Sequence, residues 1–305
     1  MALATQKGVD VSFSSLDRTM SLDDYSERVL APAINNLAGA IAADVMSGTE
    51  GGVCNLVQNL DGSGNIISPN AATYLNAGAA LNTNSAPLGE RKIVNDPFTE
   101  ARVVASLAGL FNPVADVSRQ YKTGMMQQAL GFDWLMDQTV IKHTSGSFTA
   151  GTVNTGSQTG STIAVNAITG TLAQGDIITF ANVNAVNRIT KQSTGQLRQF
   201  VVTAPAASGA TSLSIYPAIV PAVAGNAVQY QTTDTSPING ATITLVTKPS
   251  VTYRKNIAYA PQCVTMATAD LELPRGVHEA AREAFDGVSM RMVTAYNVST
   301  DQSRS

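Results

Sequence analysis

Histidines, cysteines and clustered carboxylates are the side chains through which this chain could do chemistry, and it has few of them. Its two histidines, His143 and His278, stand far apart. Neither has a His, Cys or carboxylate partner at metal-ligand spacing. His278-Glu279 opens like the helix of a zinc protease, but Arg282 stands where the second ligand belongs. Each histidine reads as a surface or capping side chain. Cys54 and Cys263 lie outside any CxxC and read as buried small apolar residues, not as a disulfide or a metal pair. Asp23, Asp24 and Glu27 cluster at the start of a helix, where negative charge complements the helix dipole. Gly51-Gly52 and Gly62-Ser63-Gly64 fit turns and match neither a phosphate-binding loop nor a nucleophile elbow. Met125-Met126, Met290 and Met292 read as adaptable packing residues. The expectation is a protein that is not an enzyme, with no catalytic, cofactor-binding or metal-binding residue.

Composition sharpens that reading. Apolar residues make up 44% of 305, enough for a sizeable core, yet charged residues are only 13%. An average soluble domain has about 25%. Ala, Gly, Ser, Thr, Asn and Val take the place of the missing charge, and no apolar run approaches the ~20 residues of a membrane span. The stretch Met1 to Asp10 is polar, unlike a secretory signal, so a cytosolic protein is expected. Surfaces this poor in charge suit coverage by neighbouring subunits. A sequence-reading nucleic-acid binder usually shows a basic stripe, and with a net charge of −3 and none visible any contact with nucleic acid is expected to be weak, general and salt-sensitive.

The elements around these residues fall into three parts. Residues 1–20 lack helical periodicity and read as an extended arm. Ser21-Leu22-Asp23-Asp24 resembles a helix start, after which Leu30, Ile34, Leu37, Ile41 and Val45 share one helical face. Pro32 should kink that helix or mark its first turn. Residues 53–57 and 66–67 flank Asp61-Gly62-Ser63-Gly64 as a hairpin. Pro69-Asn70 introduces a short Ala-rich helix, 93–94 is a brief strand, and Asp96-Pro97 starts a further helix ended by Asn112-Pro113. Residues 134–141 read as a strand.

Residues 144–248 differ in kind. Their only charged side chains are Asp176, Arg188, Lys191, Arg198, Asp234 and Lys248. Short Val/Ile/Thr/aromatic runs at 162–165, 176–180, 199–203, 211–216, 227–231 and 241–246, punctuated by Gly, Asn, Ser and Pro, predict a small barrel or sandwich. Charge returns in residues 249–305, with an extended run at 256–271, a turn at Pro274, a helical piece at 278–285 and a strand at 288–296. A block of foreign composition between two similar flanks reads as an inserted domain in an α+β frame.

Four stretches carry a family resemblance. Leu16-Asp17-Arg18-Thr19-Met20-Ser21-Leu22-Asp23-Asp24-Tyr25-Ser26-Glu27-Arg28 is the first. Ala86-Pro87-Leu88-Gly89-Glu90-Arg91, with Asn95-Asp96-Pro97 and Gly109-Leu110-Phe111-Asn112, is the second. The third is Gly131-Phe132-Asp133-Trp134-Leu135-Met136-Asp137-Gln138. The fourth is Asn256-Ile257-Ala258-Tyr259 with Leu271-Glu272-Leu273-Pro274 and Val298-Ser299-Thr300-Asp301-Gln302. In this order they resemble podophage-type major coat proteins of tailed bacteriophages.

The resemblance implies the Hong Kong 97 capsid fold, with an amino-terminal arm at 1–22, a first core part at 23–143, an extended loop at 50–69, an inserted all-β barrel at 144–248 and a second core part at 249–305. The axial domain would draw on 85–143 and 249–262, and the peripheral domain on 70–84 and the terminal strand. It implies self-assembly into the pentamers and hexamers of an icosahedral head in the host cytoplasm, with scaffolding protein, a portal, possible decoration proteins, packaged double-stranded DNA held without sequence recognition, and a maturation expansion. Interface candidates are Arg18, Tyr25 and Arg28 at the arm–helix junction and Asn59, Asp61 and Asn65 on the loop. An encapsulin-like nanocompartment shell is the nearest alternative. A β-rich carbohydrate-binding module is a remoter one, since Trp is absent from 144–248.

Overall fold

The computed structural model describes residues 6–14, 31–107, 126, 128–222, 228–261, 263–285, 288–297 and 302–304. Arg18, Tyr25 and Arg28 lie outside them, as do the acidic cluster at 23–27 and the expected helix end at 108–113. In chain order the first elements are β1 (Ser12–Ser14), α1 (Ala31–Thr49), β2 (Asn59–Leu60), β3 (Ile66–Ile67), α2 (Ala71–Thr83), β4 (Lys92–Asn95) and α3 (Pro97–Leu107). There follow β5 (Gln128–Ala129), β6 (Phe132–Met136), β7 (Lys142–Thr144), β8 (Gly160–Ala164), β9 (Ile177–Val186), β10 (Ser193–Val202) and β11 (Ser212–Ile219). The last are β12 (Ile243–Leu245), β13 (Thr252–Arg254), β14 (Ile257–Tyr259), β15 (Glu279–Phe285), β16 (Val288–Asn297) and β17 (Gln302–Arg304). Two compact units result, Met46–Cys263 and the combination of Met1–Val45 with Val264–Ser305.

The larger unit holds a five-stranded and a four-stranded sheet with separate cores, together with the two-stranded pairs β13-β7 and β2-β3. One sheet orders its strands β12-β9-β10-β11-β8. Ile177, Ile178, Thr179 and Phe180 of β9 are all buried, the mark of a strand covered on both faces. Ile178 and Phe180 face a core shared with Phe148, Ile163, Leu172, Phe200, Leu213 and Ile215. The Phe180 and Phe200 rings meet edge-on at 5.3 Å. On the other face Ile177 and Val201 pack against Cys54, with Leu56 and Val246 alongside.

Residues 149–154 hydrogen-bond to both margins of this sheet. On one side Asn154 N–H donates to Ala164 O (3.1 Å), and Asn166 N–H donates to Thr152 O (2.9 Å). On the other, Val153 N–H donates to Ala241 O (2.9 Å), and Ile243 N–H donates to Gly151 O (3.0 Å). Nearby two glycines let chain segments cross at contact distance. A Cβ on Gly146 would sit 2.1 Å from Thr171 O, and one on Gly170 would sit 2.1 Å from Ser147 O.

The second sheet, β14-β4-β6-β5, pairs β4 and β6 in parallel and the other neighbours antiparallel. Tyr74 of α2, Val103 of α3, Ile93, Phe132 and Trp134 make its core, and the Tyr74 and Trp134 rings lie 4.5 Å apart. Asn70 caps α2 in a reciprocal box with Thr73, and Asp96 caps α3 by accepting Phe98 N–H (3.2 Å).

The other unit contains an antiparallel sheet, β1-β17-β16-β15. Residues 278–285, expected as helix, form strand β15 instead. Its Glu/Ala/Arg composition favours helix, but residue-by-residue pairing from Glu279↔Thr294 to Phe285↔Val288 overrides local preference. Residues 227–231, expected as strand, contain a 3-10 turn at Val228–Tyr230, closed by Gln231 N–H on Val228 O (3.1 Å). The strand expected at 134–141 ends at Met136, because Asp137 Oδ1 accepts Thr139 N–H (2.7 Å) and turns the chain. Pro32 lies within α1 as described from Ala31, and the residues before it, which would decide between a kink and a first turn, lie outside the described ones.

Candidate assembly interface

The hairpin of β2 and β3 pairs Asn59 with Ile67 and Leu60 with Ile66. Its first strand starts six residues later than expected, because 53–57 is committed to the sheet face at Ile177 and Val201. The turn is built around Asp61. Its Oδ1 accepts the N–H groups of Ser63 (2.9 Å) and Asn65 (2.8 Å), and its Oδ2 accepts Asn65 Nδ2 (2.9 Å). The side-chain bond from Asn65, followed by its backbone N–H, holds the Asp61 carboxyl below the usual carboxylate range. Asn59 Nδ2 donates to Ser68 O (2.8 Å), and Lys248 Nζ donates to Asn65 Oδ1 (2.7 Å). Asn59, Asp61 and Asn65 are thus brought together, and they direct these bonds within the hairpin and to Lys248. Leu60 and Ile67 remain exposed beside them.

The root of the hairpin is fastened by side chains that sequence reading did not single out. Gln58 Nε2 donates to Val246 O (2.7 Å), and Gln199 brackets the backbone of Leu56. Arg198, buried, donates to Asn84 Oδ1 (3.2 Å) and to Cys54 Sγ (3.6 Å). Burial pushes the Cys54 thiol pKa up. Cys54 is buried as expected, whereas Cys263 is exposed, in a segment where 264–276 is exposed throughout.

Below the root lies a cluster of charge. His143 Nε2 is 2.8 Å from Asp176 Oδ1 and its Nδ1 is 3.0 Å from Glu50 Oε1, which Lys255 Nζ also meets at 2.9 Å. Asp176 Oδ2 accepts the N–H groups of Gly146 (3.0 Å) and Ala173 (2.7 Å). Burial opposes the charge on His143, but the bonds to Asp176 and Glu50 outweigh it and raise the pKa. Burial likewise opposes the charge on Glu50, and His143 and Lys255 overcome it, so its pKa falls. Lys255 is lowered, with burial as the main cause. The surface or capping role expected of His143 is corrected here. Strand β7, which carries it, and the turn before β9, which carries Asp176, come together only in three dimensions. A signal existed: in a block almost free of charge, a lone Asp176 or Arg198 is a candidate buried partner. His278 is exposed, as expected.

A second polar group stands at α3. Asp96, fully buried, meets Arg254 Nε at 3.2 Å, and the guanidinium sits 5.8 Å over the Phe98 ring. Glu100 accepts Asn95 Nδ2 and Met126 N–H, both at 2.9 Å. These carboxylates join chain segments far apart in sequence, which is structural work. Among the described residues no group of three or more His, Cys, Asp or Glu side chains is placed to hold a metal ion, and no helix is long and apolar enough to cross a membrane.

The family model described as P22 coat protein, gene protein 5, matches residues 11–304. No curated protein matches the chain. Among solved structures, the CUS-3 coat protein I-domain is similar at 27% identity, covering 32% of this chain and 96% of that one, with a TM-score of 0.27. The matched family is structural and not enzymatic, in line with the chemistry the sequence lacks. With that match running almost end to end, the chain belongs to the P22 coat protein family and is a major capsid protein of a tailed bacteriophage, a structural part of the virion shell.

Proposed function

We propose that the chain is the repeating subunit of an icosahedral head, closing pentamers and hexamers around double-stranded DNA with the help of scaffolding protein and a portal, and expanding on maturation. The family match over residues 11–304 carries this reading. The arrangement is of the Hong Kong 97 type, with an arm at 1–22, an extended loop at 50–69, an inserted barrel at 144–248 and core parts at 23–143 and 249–305. The barrel reading draws support from residues 149–154, which bond to both margins of the five-stranded sheet. The loop reading draws support from Leu60 and Ile67, apolar and exposed on a hairpin whose turn polar groups bond to one another. The apolar face of α1 offers a further contact, since no residue of that helix is buried within the subunit and Ile34 is 48% exposed. Many weak head-to-tail contacts of this kind close a shell through multivalency. Arg18, Tyr25 and Arg28 would act at the arm, and Asn59, Asp61 and Asn65 through the shape of the loop. The family match does not favour the nanocompartment shell or the carbohydrate-binding module.

Electron microscopy of the protein, expressed with and without neighbouring phage genes, tests the proposal. Closed shells or rings of five and six subunits are expected. A persistent monomer with a scaffolding partner supplied overturns it.

A further inference from the structure

Four stretches of chain meet around His143. Among the described residues the titratable groups facing the imidazole are Asp176, Glu50, Lys255 and the edge of the Tyr253 ring at 5.5 Å. An imidazole with a carboxylate against each nitrogen is matched only when both nitrogens carry protons. In that state two carboxylates, one ammonium and one imidazolium sum to zero charge. Removing the proton leaves a net negative charge in a buried site and turns a ring lone pair toward a carboxylate oxygen, and both are costly. The backbone closes over the group at Gly175, whose φ is +89°. A Cβ there would lie 3.0 Å from Lys255 Nζ, 3.2 Å from Glu50 Cδ and 3.2 Å from His143 Cε1.

We propose that this group is a proton-gated latch: imidazolium His143 ties Glu50, at the root of the 50–69 segment, to Asp176 at the start of β9, and loss of that one proton frees the root. Its consequence for assembly rests on reading 50–69 as the extended loop, whereas the latch itself is a property of the single chain. Because the folded pKa of His143 is raised, the hold is complete below the ordinary histidine range and is lost as pH climbs through the raised value. Each unit of that elevation corresponds to about a tenfold change in the opening equilibrium.

Hydrogen exchange of the full-length chain, read by mass spectrometry from about pH 6 to about pH 9 and corrected for intrinsic rates, tests this. The amides of Gly146 and Ala173, which donate to Asp176, are the reporters. The expected result is one step to faster exchange on raising the pH through the raised value. His143→Gln, uncharged throughout, shows no step. Lys255→Met moves the step to higher pH, because the ammonium opposes the imidazolium, and this readout does not depend on His143→Gln folding. Flat exchange in the unaltered chain, or the same step in His143→Gln, overturns the latch. Light scattering of shell formation over the same range separates the two readings. An exchange step with assembly unchanged keeps the latch and counts against the loop, while pH-dependent assembly without an exchange step overturns the latch alone.

Discussion

Gln199 holds the backbone of Leu56 in a two-point bracket, its Oε1 accepting Leu56 N–H at 2.6 Å and its Nε2 donating to Leu56 O at 3.1 Å. The side chain supplies what a neighbouring strand would supply, so 53–57 lies against the sheet without joining it. Gln199→Ala leaves both backbone groups without a partner and should destabilise the larger unit by about 2 kcal/mol. Denaturant unfolding with an unchanged m-value checks it.

Asp96 is a buried carboxylate that caps α3 and pairs with Arg254. Asp96→Ala removes the cap and strands the guanidinium, at a cost of about 3 kcal/mol. Arg254→Ala leaves the carboxylate buried without its cation and should cost a similar amount. The double variant should cost less than the sum of the two, and a double-mutant cycle on unfolding midpoints checks it.

The crossing at Gly146 and Gly170 admits no side chain. Gly146→Ala drives a methyl group into Thr171 O at 2.1 Å, where backbone must move, and should cost more than about 3 kcal/mol. Gly240→Ala serves as a control, because nothing lies within 4 Å of its Cβ and only the positive φ of +78° is strained. It should cost about 1 kcal/mol. Comparing the melting temperatures of the two variants checks it.

Asp61 stabilises the hairpin turn only while ionised. Its folded pKa is lowered, so the contribution is present above the ordinary carboxylate range and disappears as pH falls through the lowered value. Asp61→Ala should leave the melting temperature unchanged and speed amide exchange at Ser63 and Asn65. Proton exchange confined to the hairpin, measured at neutral pH, checks it.

Much of this architecture is legible in the sequence because it is local. Asn70 with Thr73, Asp96-Pro97 and the Asp61-Gly62-Ser63-Gly64 turn announce their elements through chemistry that spans four residues. The β runs at 162–165, 199–203 and 211–216 fall on β8, β10 and β11 because alternating or continuous apolar patterns follow from burial. Residues 278–285 mislead because pairing with β16 outweighs helical composition. The His143 group was illegible for a related reason. Glu50, His143, Asp176 and Lys255 are separated by 93, 33 and 79 positions, so no spacing rule connects them. Only the scarcity of charge around Asp176 pointed there.

Residues 149–154 occupy both margins of the five-stranded sheet, and this decides how that block can meet its neighbours. A strand margin with open N–H and C=O groups would template the next copy into a continuous ladder, an attachment that is hard to undo. Where Ala164, Asn166, Ala241 and Ile243 already bond to residues 151–154 of the same chain, those stretches of margin could meet a second copy only through side-chain contacts. Such contacts are individually weak, so a subunit that lands in the wrong orientation can depart before the shell closes around the mistake.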